Sequence, residues 1–368
     1  MLACRLFRPD RPLDRHRATD ASMVSSGVMM DAISEVLRGV RLTGAFFFDN
    51  LAHDPWAITT PLLTEIAHVM PSHEHIISFH VVLEGACWVE LTDNSAPPLR
   101  VAAGDVVVLP QGDEHVMAST QGMRIQPNYA DFRVSASRGL PIRYVVNPKA
   151  GPPDCHFICG FFGCDSTPFN PLLSALPRIF VARGFEAGRP WVSALAQAGV
   201  EESGSVDGGG DNMLARVAEL MFVDVVRRYA DDLPRQSPGW LSGLKDRHIG
   251  AALRLIHERP TRPWTLAGMA REIGLSRSVF AERFSAHVGV SFAQYVVRWR
   301  LQLAVRSMEE LGTTVAQAGA DIGYGSEAAF RRAFKKYVGV SPGTWQKARR
   351  NRAVPNPGAG ESGHPHDA

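Results

Sequence analysis

The chain has 368 residues, is 45% hydrophobic and carries a net charge of +2. This length supports two hydrophobic cores or slightly more and excludes a single small module. No apolar run reaches the roughly 18 residues of a membrane span, the opening MLACRLFRPDRPLDRHR lacks the apolar stretch and cleavage site of a secretory signal, and five scattered cysteines make no disulfide framework, so a cytoplasmic protein is expected.

Residues 1–30, rich first in Arg, Asp and Pro and then in Ser and Met, have neither helix nor strand periodicity and read as a disordered leader. From 31 to 182 the pattern changes to short β-branched and aromatic runs (FHVVLEGACWVEL, DVVVLP, IRYVV, CHFICGFF) broken by Gly, Pro, Asn and Asp. Many short strands argue a β-barrel or jelly roll, with short helices expected only at Asp31–Leu37 and Pro171–Leu176. Inside this region Gly104 to His115 has the form G-x5-P-x-G-x2-H. A strand there sends its apolar alternates to a core, Pro and Gly turn the chain, and the histidine re-enters the barrel. His73, His75 and His80 lie upstream. Cys155, Cys159 and Cys164, with His156 among them, admit a thiolate metal site, a redox switch or buried small hydrophobes; alternation puts Cys155 and Cys159 on one strand face, and the spacings favour the hydrophobes over zinc.

Residues 183–243 read as a helical connector and linker. EESGSVDGGGD (201–211) is a flexible loop composition, and Asn212–Tyr229 spaces Leu214, Val217, Leu220, Met221 and Val225 as one apolar helix face. That face packs on its own domain or on a second copy of the chain. DDLPRQSPGW, with two prolines, is expected to close the region as a linker.

Residues 244–350 are helical throughout and contain the same unit twice: SRSVFAERFSAHVGVS at 276–291 and SEAAFRRAFKKYVGVS at 326–341, an offset of 50 residues. The first helix is expected at Lys245–Glu258. Thr265 then caps a short helix stopped at Gly274, and Ser276 caps the next, the spacing of a helix-turn-helix; Thr314 and Ser326 repeat it. Phe280 with Phe284, and Phe330 with Phe334, are i,i+4 pairs that face a core, which leaves Arg277, Ser278, Ala281 and Glu282 on the outer face of one helix and Glu327, Ala328, Arg331, Arg332 and Lys335 on that of the other. Phe292–Leu311 forms a single helix of about 20 residues between the units, long enough to set two recognition helices about one DNA turn apart. Residues 245–350 carry 18 Lys and Arg against 8 Asp and Glu, a local net charge of +10 that suits a polyanion. Residues 351–368 are a Pro/Gly tail expected to be disordered.

The run IGYGSEAAFRRAFKKYVGVSP at 322–342, together with the duplicated unit, resembles the two-helix-turn-helix domain of the AraC/XylS family of transcriptional regulators. The resemblance implies base contacts from Ser278, Ala281, Glu282, Glu327, Ala328, Arg331 and Arg332. An arginine can bind guanine O6/N7 bidentately, and a glutamate can accept from cytosine N4. Arg277, Arg283, Lys335 and Lys336 are cast as phosphate contacts, and the second unit, with two arginines and two lysines, is expected to carry more of the affinity. Residues 31–182 resemble the cupin-type sensor of one branch of that family, with Ser78 or Phe79 where the metal-bearing cupins place a glutamate. His73, His75, His80 and His115 are the candidate ligands of an effector or a divalent metal; the alternative is a barrel that keeps satisfied histidines without metal.

The expected architecture is therefore α+β: a cupin-like barrel or jelly roll, a helical connector, and an all-α domain with two helix-turn-helix motifs. The expected function is a sequence-specific regulator of transcription, not an enzyme, controlled by a small molecule in the barrel. Its partners would be double-stranded DNA, the effector, RNA polymerase and a second copy of the chain, with no membrane. The rival readings are a metal-dependent cupin oxygenase or isomerase fused to a DNA-binding domain, and a constitutive DNA-binding protein.

Overall fold

The fold comes from a computed structural model that describes residues 33, 36, 43–60, 75–126, 142–164, 168–183, 210–234 and 239–353. Two sheets lie face to face. The larger has the strand order β10-β6-β3-β9-β1-β8 and the smaller β2-β7-β4-β5, where the strands are β1 (Thr43–Ala52), β2 (Ala57–Thr60), β3 (His75–Glu84), β4 (Ala86–Leu91), β5 (Leu99–Ala102), β6 (Val106–Leu109), β7 (His115–Ala118), β8 (Ile142–Val146), β9 (Cys155–Cys164) and β10 (Phe180–Ala182). Among the described residues all pairings are antiparallel except β1 with β8. The four runs read from the sequence are β3–β4, β6, β8 and β9.

Strand β1 escapes an alternation test because Asp49 and Asn50 interrupt it in buried positions. Both are satisfied from distant strands. Asp49 bonds His156 at 2.6 Å and Arg143 at 2.9 Å; burial raises its carboxyl pKa, but these two partners outweigh burial and hold it below the ordinary value.

The inner faces of the two sheets enclose one core, containing Phe48, Val89, Val107, Cys155, Phe157 and Phe161. On β9 the alternate residues Ile158 and Phe162 point the other way, into a second core on the outer face of the larger sheet. Helix α2 (Gly210–Asp232) covers that face. It packs on β1 and β10 with Ala218, Met221, Phe222, Val225 and Val226 buried, and Phe162 and Phe222 lie 5.3 Å apart. Of the two roles open for this helix, packing on its own chain is the one observed for Met221 and Val225. Leu220 is exposed, and the side chains of Leu214 and Val217 lie outside the described residues.

Gly160 sits on β9 opposite Phe79, whose buried ring is stacked on Phe162 at 4.6 Å. A Cβ at residue 160 would overlap the Phe79 ring. Gly160→Ala is therefore expected to destabilise the barrel by about 1–3 kcal/mol, read as a lower urea midpoint. An unchanged midpoint would show that Phe79 can move aside.

Further helices among the described residues are α1 (Pro171–Ala175), α3 (Trp240–Lys245), α4 (Arg247–Glu258), α5 (Leu266–Glu272), α6 (Arg277–Val288), α7 (Phe292–Glu310), α8 (Val315–Asp321), α9 (Glu327–Val338) and α10 (Pro342–Ala353). Two expectations need correction. The segment read as a linker already belongs to helices at both ends, since α2 runs through Asp231 and Asp232, and Trp240 opens α3 as a buried residue. The helix expected at Lys245–Glu258 begins at Arg247, because Asp246 is an N-cap accepting from His248 and Ile249 backbone N–H groups.

Candidate sites in the barrel and the helical repeat

The recurrence of VGVS has a capping explanation. Gly289 and Gly339, at φ 76° and 88°, end α6 and α9 in the left-handed region that glycine enters at little cost. Two residues later Ser291 caps α7, with Gln294 closing a capping box, and Ser341 accepts from the Thr344 N–H at the start of α10. Ser276 and Ser326 cap α6 and α9 in the same way. The phenylalanine pairs are fully buried, with rings 5.5 Å apart for Phe280–Phe284 and 5.7 Å for Phe330–Phe334.

The scrambled residues form the outer faces. Ser278 and Glu282 on α6 and Glu327, Ala328, Arg331 and Arg332 on α9 are exposed, while Ala281 is half-buried. Arg277, Lys335 and Lys336 are exposed as well. Two arginines have partners: Arg331 is tied to Glu327 at i,i+4 spacing, at 2.6 Å from Nε, and Arg283, with no spacing rule to announce it, reaches across to the capping carboxylate of Asp246. Arg283 therefore braces α6 against the start of α4, and its expected place at a phosphate is shared with this ion pair.

In the barrel the structure brings His80 and His115 together and separates them from His75. His75 Nε2 lies against the Pro110 carbonyl, and His73 falls outside the described residues. His80 Nε2 and His115 Nε2 are 2.6 Å apart, both fully buried. Their other ring nitrogens decide the proton positions. His115 Nδ1 faces the Asp113 carbonyl at 2.8 Å, which can only accept, so His115 donates there and presents an unprotonated Nε2. His80 then donates from Nε2, leaving Nδ1 to accept from the Cys159 thiol at 2.8 Å. Asn50 Nδ2 in turn donates to Cys159 Sγ at 3.4 Å. The result is one directed chain, Asn50 to Cys159 to His80 to His115 to Asp113, made entirely of neutral groups.

Burial keeps it neutral. It pulls His115 down to about 4 against the opposing pull of Asp113, and it holds His80 well below its ordinary value, helped by His115. The Cys159 thiol is pushed up by burial, and that of Cys87 by its hydrogen bond with Cys155 and by burial. Thiols held this far from the thiolate behave as small hydrophobes, and Cys155, Cys159 and Cys164 are all buried. Among the described residues no group of three or more His, Cys, Asp or Glu is placed to hold a metal ion.

Beside this chain lies a cavity of about 180 Å³ between β1, β8 and β9 of one sheet and β2 of the other, lined by Phe48, Asn50, Ile58, Val146, Cys159 and Phe161 among others. The sequence reading placed the barrel's binding site at its histidines. The cavity lies one step away, and Asn50 and Cys159 join the two. No local signal in TGAFFFDNLA marks Asn50, because its role depends on β9 lying alongside.

A cupin family model matches residues 31–231 and a helix-turn-helix domain model residues 269–348. The chain is similar to an AraC-like transcription regulator of Streptomyces antibioticus, 29% identical over 86% of this chain and 99% of that one. It is also similar to an AraC-like transcription regulator of Streptomyces lividans, 30% identical over 74% and 87%, and to an HTH-type transcriptional regulator of Haemophilus influenzae, 26% identical over 73% and 86%. Among the described residues no helix is long and apolar enough to cross a membrane. With a cupin barrel in front and a capped, duplicated helix-turn-helix unit behind, the chain belongs to the AraC-like transcription regulators, proteins that act by binding DNA.

Proposed function

We propose that this regulator reads DNA with α6 and α9 in successive major grooves and that a small molecule in the barrel sets the arrangement of the two units. The observation that carries the effector reading is the thickness of the wall between cavity and connector, which is a single strand. On β9, Cys159 and Phe161 line the cavity while the flanking residues Ile158 and Phe162 pack in the outer core, Phe162 against Phe222 of α2. A ligand that shifts β9 has no second layer to absorb the shift before it reaches α2. It controls DNA binding to the extent that it binds the two arrangements unequally.

The joint beyond α2 suits this role. The Phe169 N–H donates to Gln302 Oε1 of α7 at 3.0 Å, its ring meets Tyr295 at 5.3 Å, and the Arg298 guanidinium lies over it at 5.8 Å. The Tyr295 hydroxyl accepts from Trp240 Nε1 and bonds His257 Nε2, each at 2.9 Å. Sensor and first helix-turn-helix unit thus share one apolar core, whereas the second unit has its own, built around Leu301, Met308, Phe330 and Phe334. A second copy of the chain, met through the exposed side of α2 that bears Leu220, and RNA polymerase complete the proposed set of partners.

On α9 the base-reading role falls mainly to Arg332. Among the described residues it has no partner, while Arg331 is tethered to Glu327. Selecting genomic fragments with the full-length protein supplies the DNA for the test. Arg332→Ala is expected to cost about 1–3 kcal/mol at particular base pairs, whereas Lys335→Ala and Lys336→Ala weaken all sequences alike and each lower the slope of log K against log salt by about 1. An Arg332→Ala loss spread evenly over every sequence would refute base reading.

A further inference from the structure

The chemistry of the cavity wall restricts what the barrel can hold. At about 180 Å³ the cavity is somewhat larger than the roughly 150 Å³ that accommodates benzene in an apolar protein interior. Phe48, Ile58, Val146 and Phe161 form apolar wall, and none of the described residues lining it carries a charge. A carboxylate or an ammonium placed here would lose its hydration and find no counter-charge.

Beside the histidine chain the polar atoms of the wall are committed in one direction. Asn50 Nδ2 donates to the carbonyls of Phe48 at 3.2 Å and Phe157 at 3.4 Å and to Cys159, which fixes the amide's orientation and leaves Oδ1, an acceptor, without a partner among the described residues. The Cys159 thiol hydrogen is given to His80. The Thr59 hydroxyl is given to the Ile125 carbonyl, so its oxygen too is left as an acceptor. At Asn50, Cys159 and Thr59 the wall therefore offers acceptors, and with Thr60, Gln126 and Tyr144 its polar side chains still fall short of the many hydroxyls of a sugar.

We infer that this cavity binds an uncharged molecule of about one aromatic ring, or an aliphatic group of equal bulk, bearing a single hydroxyl or N–H that donates to Asn50 Oδ1. This deepens the proposed effector control and rests on it. The directed chain from Asn50 to Asp113 fixes the acceptor in place, so the site selects for a donor as well as for shape.

The test uses the full-length chain and four probes, benzyl alcohol, toluene, benzoate and benzylammonium, with binding followed by calorimetry and by the shift in melting temperature. Benzyl alcohol is expected to bind, toluene about tenfold more weakly for want of a donor, and the two ions at least a further tenfold more weakly. Val146→Phe and Ile58→Phe fill the cavity from opposite sheets, and whichever of them melts cooperatively is expected to lose benzyl alcohol binding. The inference is overturned if either ion binds as tightly as benzyl alcohol, if toluene matches it, if no probe binds, or if the filled variants bind as the parent does. Its failure is distinct from that of effector control. Benzyl alcohol bound in the cavity with no change in affinity for the selected DNA fragment supports the inference and removes the control. Control by a charged molecule that persists in the filled variants does the reverse.

Discussion

Phe334→Ala is expected to lower stability by about 3–5 kcal/mol, the cost of emptying a fully buried aromatic site, and to do so in a transition separate from that of the barrel. Phe334 is fully buried among Leu301, Val305, Phe330 and the edge of Trp345, in a core that does not include the sensor. Phe284→Ala, the same change at the equivalent place in the first unit, is expected to cost a similar amount but to shift the main transition. Its ring packs against Phe292 at 5.6 Å and Tyr295 at 5.7 Å, in the core that continues through Trp240 and Leu244 to α2 and the barrel. Scanning calorimetry of the two variants decides the matter. In the first a low-temperature peak splits away while the larger peak stays; in the second the larger peak moves. If both variants shift a single peak together, the two units do not melt independently. This difference matters for control, because an effector that acts on the barrel reaches the first unit through shared packing and the second mainly along α7, 19 residues or about 28 Å of helix.

The second large effect is acid loss of stability centred on the histidine chain. His115 titrates near 4 in the folded protein against an ordinary 6.5, because burial disfavours its charged form. Unfolded chains therefore take up a proton between these values that the folded protein refuses. The stability due to a neutral His115 is complete above about pH 6.5 and is lost as the pH falls toward 4, a loss of roughly 3 kcal/mol. His80 adds to it with the same sign. Geometry sharpens the expectation: a proton on His115 Nε2 would set two donors face to face across 2.6 Å. His257, pulled to about 3 by burial, contributes a parallel loss at the joint with the helical repeat. Urea unfolding from pH 7 to 4 should therefore show a steep decline in the parent and a shallower one in a variant with both His80→Gln and His115→Gln. Identical slopes would show that the pair carries no unusual titration.

Legibility in the sequence followed the range of the interactions. The two helix-turn-helix units could be read nearly residue by residue, since a cap acts over three residues and an i,i+4 pair over four: Ser276, Phe280, Phe284 and Gly289 each do locally what their spacing announces. His115 was legible as the residue that re-enters the barrel, because the Gly and Pro turn before it is local too. Its partner was not. Alternation sets His75 and His80 on opposite faces of β3, and only the register that places His80 opposite Cys159 shows which of them joins the chain. Likewise Arg283 looks like any exposed cation until α6 brings it to Asp246, 37 residues earlier.

The sequence by itself determined the order of parts, the capped and duplicated helices, the basic end and the barrel motif, all of which depend on short-range rules of propensity, capping and periodicity. Tertiary structure alone decided which histidine pairs with which, that Asn50 and Cys159 carry the chain to a cavity wall, and that the first helix-turn-helix unit shares its core with the sensor while the second does not. Those outcomes depend on strand register and on the faces that packing brings together, and one residue of slippage on β9 would exchange its cavity side for its connector side.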